Sequence, residues 1–181
     1  MSDSTQTATQ TAIVTGLEQA FVRQGFAKPG VDDLRAAAGV SLRTLYKYYP
    51  SREAMILGAL EHRHGRYVKR LLDGLPTDPK EALDAILERV AGWMREEASH
   101  GCLFHGAVAA VPESTALREL LERHKGEIAR RTAAAVDLRG NEAELTLILE
   151  GLTQSWTLNG ADALRAAKRL AACLFTSTPR R

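Results

Sequence analysis

Residues 31–49 read VDDLRAAAGVSLRTLYKYY, and this stretch decides how the N-terminal part of the chain folds. It predicts a short helix over Val31–Ala38, a turn at Gly39 and a second short helix over Leu42–Tyr48. Two short helices joined by three or four residues that include Gly form a helix-turn-helix. Gly39 permits the backbone twist that the turn needs. Val40 and Leu45 are the apolar residues expected to hold the second helix on the preceding helices.

The second helix has one outward face of basic, hydroxyl and aromatic residues. With Leu45 facing inward, Tyr49 follows four residues later and is expected to pack inward as well. Arginine reads guanine through two hydrogen bonds, and hydroxyl groups often bind phosphate oxygens. Ser41 is placed to cap the helix, and Arg52 in the next helix is placed to add a phosphate contact. The predicted DNA-binding residues are Ser41, Arg43, Thr44, Tyr46, Lys47, Tyr48 and Arg52.

The charge distribution favours an anionic partner for the N-terminal part only. Residues 1–70 carry ten Lys/Arg and six Asp/Glu, a net charge of +4, whereas residues 71–181 carry 14 and 16, a net charge of −2. A basic segment joined to a mildly acidic remainder favours an anionic partner for the basic segment. The alternative is that the YKYY segment belongs to an ordinary amphipathic helix with its aromatic rings in the core.

The whole chain, including these two short helices, is predicted to adopt an all-α fold of about nine helices. Apolar residues recur at helical spacing, and runs of alternating β-branched residues are absent. After a frayed N-terminal tail, the expected helices cover about 8–24, 31–38, 42–48, 51–73, 79–98, 115–136, 142–158 and 161–175.

Three helix ends carry recognisable signals. Asp78 is a predicted N-cap with Pro79 at the first helical position and Glu81 completing a capping box. Asn141 and Glu144 form a second predicted capping box. Gly160 suits the left-handed position after a helix C-terminus.

In combination, these N-terminal motifs resemble the DNA-binding domain of the tetracycline-repressor (TetR) family. The resemblance covers about residues 8–60 and implies a DNA-binding domain at 7–67 and a helical regulatory and dimerisation domain at 68–181. It implies a homodimeric transcription regulator, most often a repressor, that binds palindromic operator DNA and is released by a small-molecule effector. The matching segments are Gly25-Phe26, Val31-Asp32-Asp33-Leu34, Ala38-Gly39-Val40-Ser41, Thr44-Leu45-Tyr46, Tyr49 and Ser51-Arg52-Glu53.

The chain departs from the family pattern at three places. Pro29-Gly30 occupies the region where a Thr often caps the second helix and contacts phosphate. The tail before the first helix lacks the basic residue that often stands there. Arg52 and Tyr49 replace a Lys and a Phe, which keeps the charge and the aromatic ring. The first departure puts the usual cap contact on DNA in question.

The C-terminal part is expected to dimerise and to hold the effector. The resemblance implies a homodimer through about residues 142–175. An effector cavity lined by aromatic side chains is expected on helices four to eight. Packing in the core is the alternative for each residue of this set. The predicted effector-pocket residues are Tyr67, Leu71, Trp93, Phe104, His105, Val108, Leu121 and Trp156.

Other function classes find less support in the sequence. Cys102 and His105 are three residues apart in the segment that starts at His100, so a metal- or redox-responsive regulator is an alternative. An all-helical enzyme is a further alternative, but no nucleophile–base set and no glycine-rich phosphate loop is recognisable. We expect no cofactor. Two distant cysteines fit a reducing cytoplasm, and neither a signal peptide nor a membrane span is expected.

Overall fold

The structure is a computed structural model, and it describes residues 2–98 and 101–177. These residues form nine α-helices and no strand, which confirms the predicted fold class. No helix among them has the length and apolar character to cross a membrane. The helices are α1 (Ser2–Gln24), α2 (Val31–Ala38), α3 (Leu42–Tyr48), α4 (Arg52–Leu72), α5 (Pro79–Glu96), α6 (Leu103–Ala110), α7 (Thr115–Ala135), α8 (Glu142–Asn159) and α9 (Ala161–Ser177).

The first helix begins earlier than the sequence predicts. We expected a frayed tail up to about residue 8, but α1 starts at Ser2. Ile13 and Leu17 are fully buried and anchor the helix. Once such a turn exists, each further residue adds one backbone hydrogen bond at small cost. The N-terminal segment contains neither Pro nor Gly before Gly16, so nothing in it stops this extension.

Of the two predicted N-caps with a Glu three residues later, Asp78 is confirmed and Asn141 is wrong. The carboxylate of Asp78 accepts hydrogen bonds from the backbone N–H groups of Lys80 and Glu81, both at 2.9 Å. Asn141 makes no cap bond, because its backbone at φ −107° and ψ 26° is not in the extended conformation of a capping residue. Glu142 instead accepts the N–H of Gly140, and this bond lowers the pKa of its carboxyl group.

Gly160 ends α8 in a conformation that favours glycine, as expected, although not in the predicted left-handed helical region. Its φ of 48° is positive, but its ψ of −123° lies outside that region. Its N–H still donates to the carbonyl of Trp156 at 2.8 Å. The turn into α9 therefore depends on glycine because side chains disfavour this pair of backbone angles, and not because the turn is a Schellman motif.

The chain forms two compact units. The first unit runs up to Arg66 and includes Leu103–Leu120, and the second contains Tyr67–Cys102 and the chain from Leu121 onward. The first division falls within α4, next to the predicted boundary at 67/68. Residues of α6 group with the first unit, whereas the sequence places them in the regulatory domain. The division by function at 7–67 and 68–181 stays a prediction.

The second unit has a broad apolar core. Leu83, Ile86, Leu87 and Val90 of α5 are almost completely buried, and they belong to a cluster with residues of α7, α8 and α9. At the end of α4, the guanidinium group of Arg89 donates to four backbone carbonyl groups between residues 70 and 74. These carbonyls have no partner within the helix, so the guanidinium of Arg89 caps the C-terminus of α4.

Candidate nucleic-acid interface

Helices α2 and α3 form the helix-turn-helix that the sequence predicts. Gly39 has φ +65°, the left-handed conformation, and its N–H bonds to the carbonyl of Ala36 at 3.1 Å. Gly39 therefore ends α2 and allows the backbone to turn sharply into α3. Leu34 and Ala38 bury the inner side of α2.

Helix α1 holds α2 through a backbone contact at Gly16. A Cβ atom at Gly16 would lie 2.1 Å from the carbonyl oxygen of Ala37 and 2.9 Å from the Cα of Ala38. Real Cβ atoms do not approach another atom so closely, so only glycine fits at this position. The close crossing fixes α2 on α1 with little freedom to shift.

The two faces of α3 match the helical-wheel prediction. Leu45 is 0% exposed and Tyr49 is 7% exposed, so both pack inward. Val40 is half-buried. The opposite face consists of exposed Arg43, Tyr46 and Lys47, with half-buried Thr44 and Tyr48 beside them. The structure thus gathers the predicted α3 side chains on one surface, although their contact with DNA stays a prediction.

One exposed residue of α3 is absent from the predicted set. Leu42, the first residue of the helix, has 42% of its surface exposed. Ser41 precedes it and caps the helix, because its Oγ accepts the N–H of Thr44 at 3.1 Å. The Oγ atoms of Ser41 and Thr44 are also 2.8 Å apart. The helical wheel carries the signal for Leu42, since Leu42 precedes exposed Tyr46 by four residues.

Tyr49 anchors the end of α3 on α4. A Cβ atom at Gly58 would lie 2.4 Å from a ring carbon of Tyr49, so the ring lies directly on the backbone of α4. Burial raises the pKa of the Tyr49 phenol, and a hydrogen bond with Gln10 opposes this shift. The Tyr that replaces the usual Phe therefore keeps a polar partner for its hydroxyl group.

At Pro29-Gly30, where the usual capping Thr is missing, other contacts hold the start of α2. Gly30 is the N-cap of α2 and has no side chain with which to cap it, but its N–H donates to the carboxylate of Asp33 at 2.8 Å. Arg52 donates to the carbonyl of Pro29 at 2.7 Å and to that of Phe26. Arg52 therefore ties the α1–α2 loop to α4. Because arginine has five N–H donors, a phosphate contact by Arg52 stays open as a prediction.

A buried charge cluster joins α1 to α4 and was not predicted from the sequence. The carboxylate of Glu18, 3% exposed, accepts hydrogen bonds from Arg63 at 2.9 Å and Arg66 at 2.7 Å. Its second oxygen lies 2.8 Å from Nδ1 of His62. Glu18 stands among apolar neighbours in the α1 sequence, and an acidic residue on such a face is the signal that could have identified it.

The predicted effector-pocket residues do not all belong to one unit. Tyr67 and Trp93 are in contact, with ring centroids 5.1 Å apart. Leu71 and Trp93 belong to the core of the second unit, and Trp156 packs against that core. Leu121 is half-buried in the same unit. The three residues on α6, in the first unit, are buried Phe104, half-buried Val108 and exposed His105.

The second unit contains a small cavity that includes one predicted pocket residue. Its volume is about 10 Å³, which is room for about one water molecule. Lys125 pairs with Glu150 at 2.7 Å on its wall, and the Nζ of Lys125 lies 3.6 Å from the Sγ of Cys102. The lining residues are Tyr67, His124, Lys125, Ile128, Thr146, Leu149 and Glu150.

The metal alternative gains no geometric support. In residues 2–98 and 101–177, no group of three or more His, Cys, Asp or Glu is placed to hold a metal ion. His100, which opens the Cys102–His105 motif, lies outside the described residues. Cys102 and Cys173 are not joined in a disulfide.

Helices α8 and α9 form an open groove of about 620 Å³, lined by apolar side chains and by polar ones that include Asp162, Arg165 and Arg169. Leu147 and Leu170 line it, with 74% and 59% of their surfaces exposed. Leu158, also on α8, is 84% exposed. Small side chains such as Ala163, Ala166 and Ala167 form part of the floor. The groove lies within the segment predicted to dimerise.

Comparison with known proteins agrees with this arrangement. The family model described as "Bacterial regulatory proteins, tetR family" matches residues 13–59, which hold α2, α3 and the contacts that position them. The HTH-type transcriptional regulator EthR from Mycolicibacterium smegmatis is 31% identical over 77 residues. That match covers 41% of this chain and 36% of the relative, so the chain spans about a third of the relative's length.

Solved structures show the same fold over nearly the whole chain. A TetR transcription regulator from Haloarcula marismortui superposes with a TM-score of 0.78 at 16% identity and covers 96% of this chain and 100% of that one. A TetR-family regulator from Streptomyces coelicolor gives 0.76 at 17% identity, with 93% and 94% covered. Residues 13–59 therefore match the tetR family of bacterial regulatory proteins, and the chain shares the fold of these solved regulators.

Proposed function

We propose that this protein is a cytoplasmic transcription regulator that binds operator DNA through α3 and is released by a small-molecule effector. The observation that carries the proposal is the division of α3 into two faces. Leu45 and Tyr49 are buried, while Arg43, Tyr46 and Lys47 are exposed to solvent. In a helix-turn-helix the second helix lies in the major groove, and the exposed face of α3 carries the groups that such a groove accepts.

The residues of this face take different roles. Arg43 is the best candidate for reading a base, since its guanidinium fits the O6 and N7 acceptors of guanine. Thr44, Tyr46 and Tyr48 carry hydroxyl groups suited to phosphate oxygens. The Nζ of Lys47 lies 5.6 Å from the centre of the Tyr48 ring, within the range of a cation–π contact. The two side chains therefore form one basic and aromatic surface.

Binding-site selection from a random duplex pool tests the proposal directly. The wild-type protein should select one consensus, and its affinity should fall steeply with salt because cations are released from the phosphates. Arg43→Ala should lose about 1–3 kcal/mol at one base pair and relax the preference there. Thr44→Ala should weaken binding similarly for all sequences. Arg131→Ala, at an exposed position of α7 in the second unit, is the matched arginine control.

The groove of α8 and α9 supports a homodimer. A second copy of the chain is the proposed occupant, because exposed Leu147, Leu158 and Leu170 supply apolar area and small residues permit close approach. Leu170→Arg should convert the dimer to monomer in sedimentation equilibrium. Thr157→Arg is the control, since Thr157 is exposed on α8 and does not line the groove. An unchanged mass for Leu170→Arg would contradict this interface.

The small cavity between α7 and α8 is the proposed starting point of the effector site. A volume of about 10 Å³ is too small for an organic ligand, so binding must enlarge the cavity. A ligand that prefers the enlarged state shifts the population toward it. Lys125 and Glu150 supply charged partners and Tyr67 a ring. Glu150→Gln, which removes a charged partner from the cavity wall with little change of volume, should leave operator binding intact and weaken release by the effector.

One observation supports the redox-responsive alternative. The ammonium group of Lys125 lies 3.6 Å from the thiol of Cys102, and a nearby cation favours the reactive thiolate. Glu150 neutralises part of this effect through its own contact with Lys125. If the alternative holds, peroxide weakens operator binding of the wild-type protein and leaves Cys102→Ser unaffected. Equal responses of the two proteins would exclude it.

A further inference from the structure

The N-terminal turn of α3 presents an apolar side chain on its otherwise polar outer surface. Leu42 is 42% exposed and Tyr46, four residues later on the same face, is 39% exposed. A single exposed Leu on a protein surface needs no explanation. This one is the first residue of the helix proposed to enter the major groove, and N-terminal residues of such helices contact base edges.

The chemistry of the groove leaves one apolar target for this residue. The side chain of Leu42 has no polar atom, so it makes no hydrogen bond with a base edge or a phosphate. Among the groups that base pairs present in the major groove, the 5-methyl group of thymine is the apolar one. We propose that Leu42 is a specificity-determining residue that selects thymine through contact with this methyl group. The proposal rests on the proposed function and adds a second reading residue beside Arg43.

The first turn of α3 holds Leu42 in place for such a contact. The cap bond from the N–H of Thr44 to Ser41 Oγ spans Leu42, and the hydroxyl groups of Ser41 and Thr44 are 2.8 Å apart. One turn later, fully buried Leu45 fixes the helix on the core. Because the backbone is already ordered, methyl contact costs only the rotamer freedom of one Leu side chain.

The expected size of the effect follows from the burial of one methyl group. Burying a methyl-sized apolar group stabilises by roughly 0.8 kcal/mol, which corresponds to about a fourfold change in affinity. The contact therefore changes sequence preference without dominating affinity, whereas Arg43 is expected to have the larger effect at its base pair.

Replacing thymine by deoxyuridine tests the contact, because the two bases differ only in the 5-methyl group. Each thymine of the selected site is replaced in turn, and binding of wild type and Leu42→Ala is measured at fixed salt. At one position per half-site the substitution should weaken the wild type about fourfold and leave Leu42→Ala unchanged. Gln24→Ala, at an exposed position of α1 with no proposed role in binding, serves as the control and should keep the full sensitivity to deoxyuridine.

The outcomes separate this proposal from the proposed function. If the wild type selects a consensus but tolerates deoxyuridine everywhere, or if Leu42→Ala keeps the same sensitivity, the thymine contact is overturned and DNA binding stands. The same holds if the selected half-site contains no thymine. If the wild type selects no consensus, the proposed function itself fails. Thermal unfolding checks that Leu42→Ala is folded at the temperature of the binding assay, since Leu42 is 42% exposed and the rest of its side chain is covered.

Discussion

Both units have buried apolar side chains, but the first unit adds close backbone contacts and a buried charge cluster to them. Gly16 brings α1 onto the backbone of α2, and Gly58 lets the Tyr49 ring lie on α4. Glu18 adds a buried carboxylate with three basic partners. In the second unit, Leu, Ile, Val and Ala side chains of four or more helices share the burial.

This difference suits the proposed roles of the two units. A helix that reads base edges must be held in one position, since hydrogen bonds weaken rapidly with changes of distance and angle. Contacts such as that of Gly16 with Ala37 allow one arrangement only. A cavity that enlarges around a ligand needs packing that tolerates rearrangement, and cores of aliphatic side chains repack at moderate cost. Single substitutions should therefore have larger effects in the first unit.

The largest effect is expected at Glu18. Glu18→Gln removes the negative charge and leaves the guanidinium of Arg63, 3% exposed, buried beside a neutral amide. Breaking a buried ion pair in this way costs about 3–5 kcal/mol. Urea unfolding followed by circular dichroism measures the loss. Glu144→Gln, on the exposed surface of α8, is the matched control and should change the free energy of unfolding by less than about 0.5 kcal/mol.

A small loss for Glu18→Gln, below about 1 kcal/mol, would mean that the cluster is not a main source of stability. The first unit would then depend on its buried apolar side chains and its glycine contacts. Solvent access to Arg63 would explain such a result, and hydrogen exchange at the amides of α1 and α4 would reveal it.

The next largest effect is expected at Gly16. Replacing it by Ala should lower the free energy of unfolding, whereas the same replacement at Gly65 should raise it. Gly16→Ala places a Cβ 2.1 Å from the carbonyl of Ala37 and should destabilise by about 1–3 kcal/mol as the helices separate. Gly65→Ala is the control on α4, because its Cβ meets nothing within 4 Å. It should stabilise by about 0.5–1 kcal/mol through helix propensity. Stabilisation at both sites would refute the close crossing.

A smaller effect is expected at Arg89 in the second unit. Arg89→Ala removes donors to the carbonyls of Leu71, Asp73 and Gly74, at 3.0, 2.7 and 3.1 Å. Water can replace these bonds at the exposed end of α4, so the expected loss is about 1–2 kcal/mol. Arg89→Lys should recover part of it through its positive charge. A loss as large as that of Glu18→Gln would erase the distinction between the units.

The sequence predicts the outer face of α3 well because that face is a local property. Periodicity along seven residues suffices to separate Leu45 and Tyr49 from Arg43 and Lys47. Leu42 is absent from the predicted set, which contains only side chains with a charge or a hydroxyl group. Its exposure follows from its position at the first turn, where the side chain extends beyond the packed helices.

Non-local features could not be predicted in the same way. Glu18 and Arg63 are 45 residues apart in sequence and meet only in the folded unit. The predicted effector-pocket set drew aromatic and apolar residues from several helices, and the fold assigns Phe104 and Val108 to a different unit from Trp93. Residue type indicates burial, but only the packing of helices decides which buried residues surround a cavity.

The smallest effect is expected at two helix starts that the sequence could not distinguish. Both Asp78 and Asn141 precede a helix with a Glu three residues later. Asp78 accepts two backbone N–H groups, so Asp78→Ala should cost about 1 kcal/mol. Asn141 has ψ 26° and accepts none, so Asn141→Ala should stay within about 0.5 kcal/mol.

Thermal unfolding of both variants beside wild type measures this pair. Equal losses would mean that Asn141 caps α8 in solution, and the sequence motif would then be a better guide than the backbone angle. A loss at Asp78 alone would show why the motif is insufficient. The capping residue needs an extended backbone to direct its side chain at the free N–H groups. Asn141 does not have this conformation, and Glu142 accepts the N–H of Gly140 in the same turn.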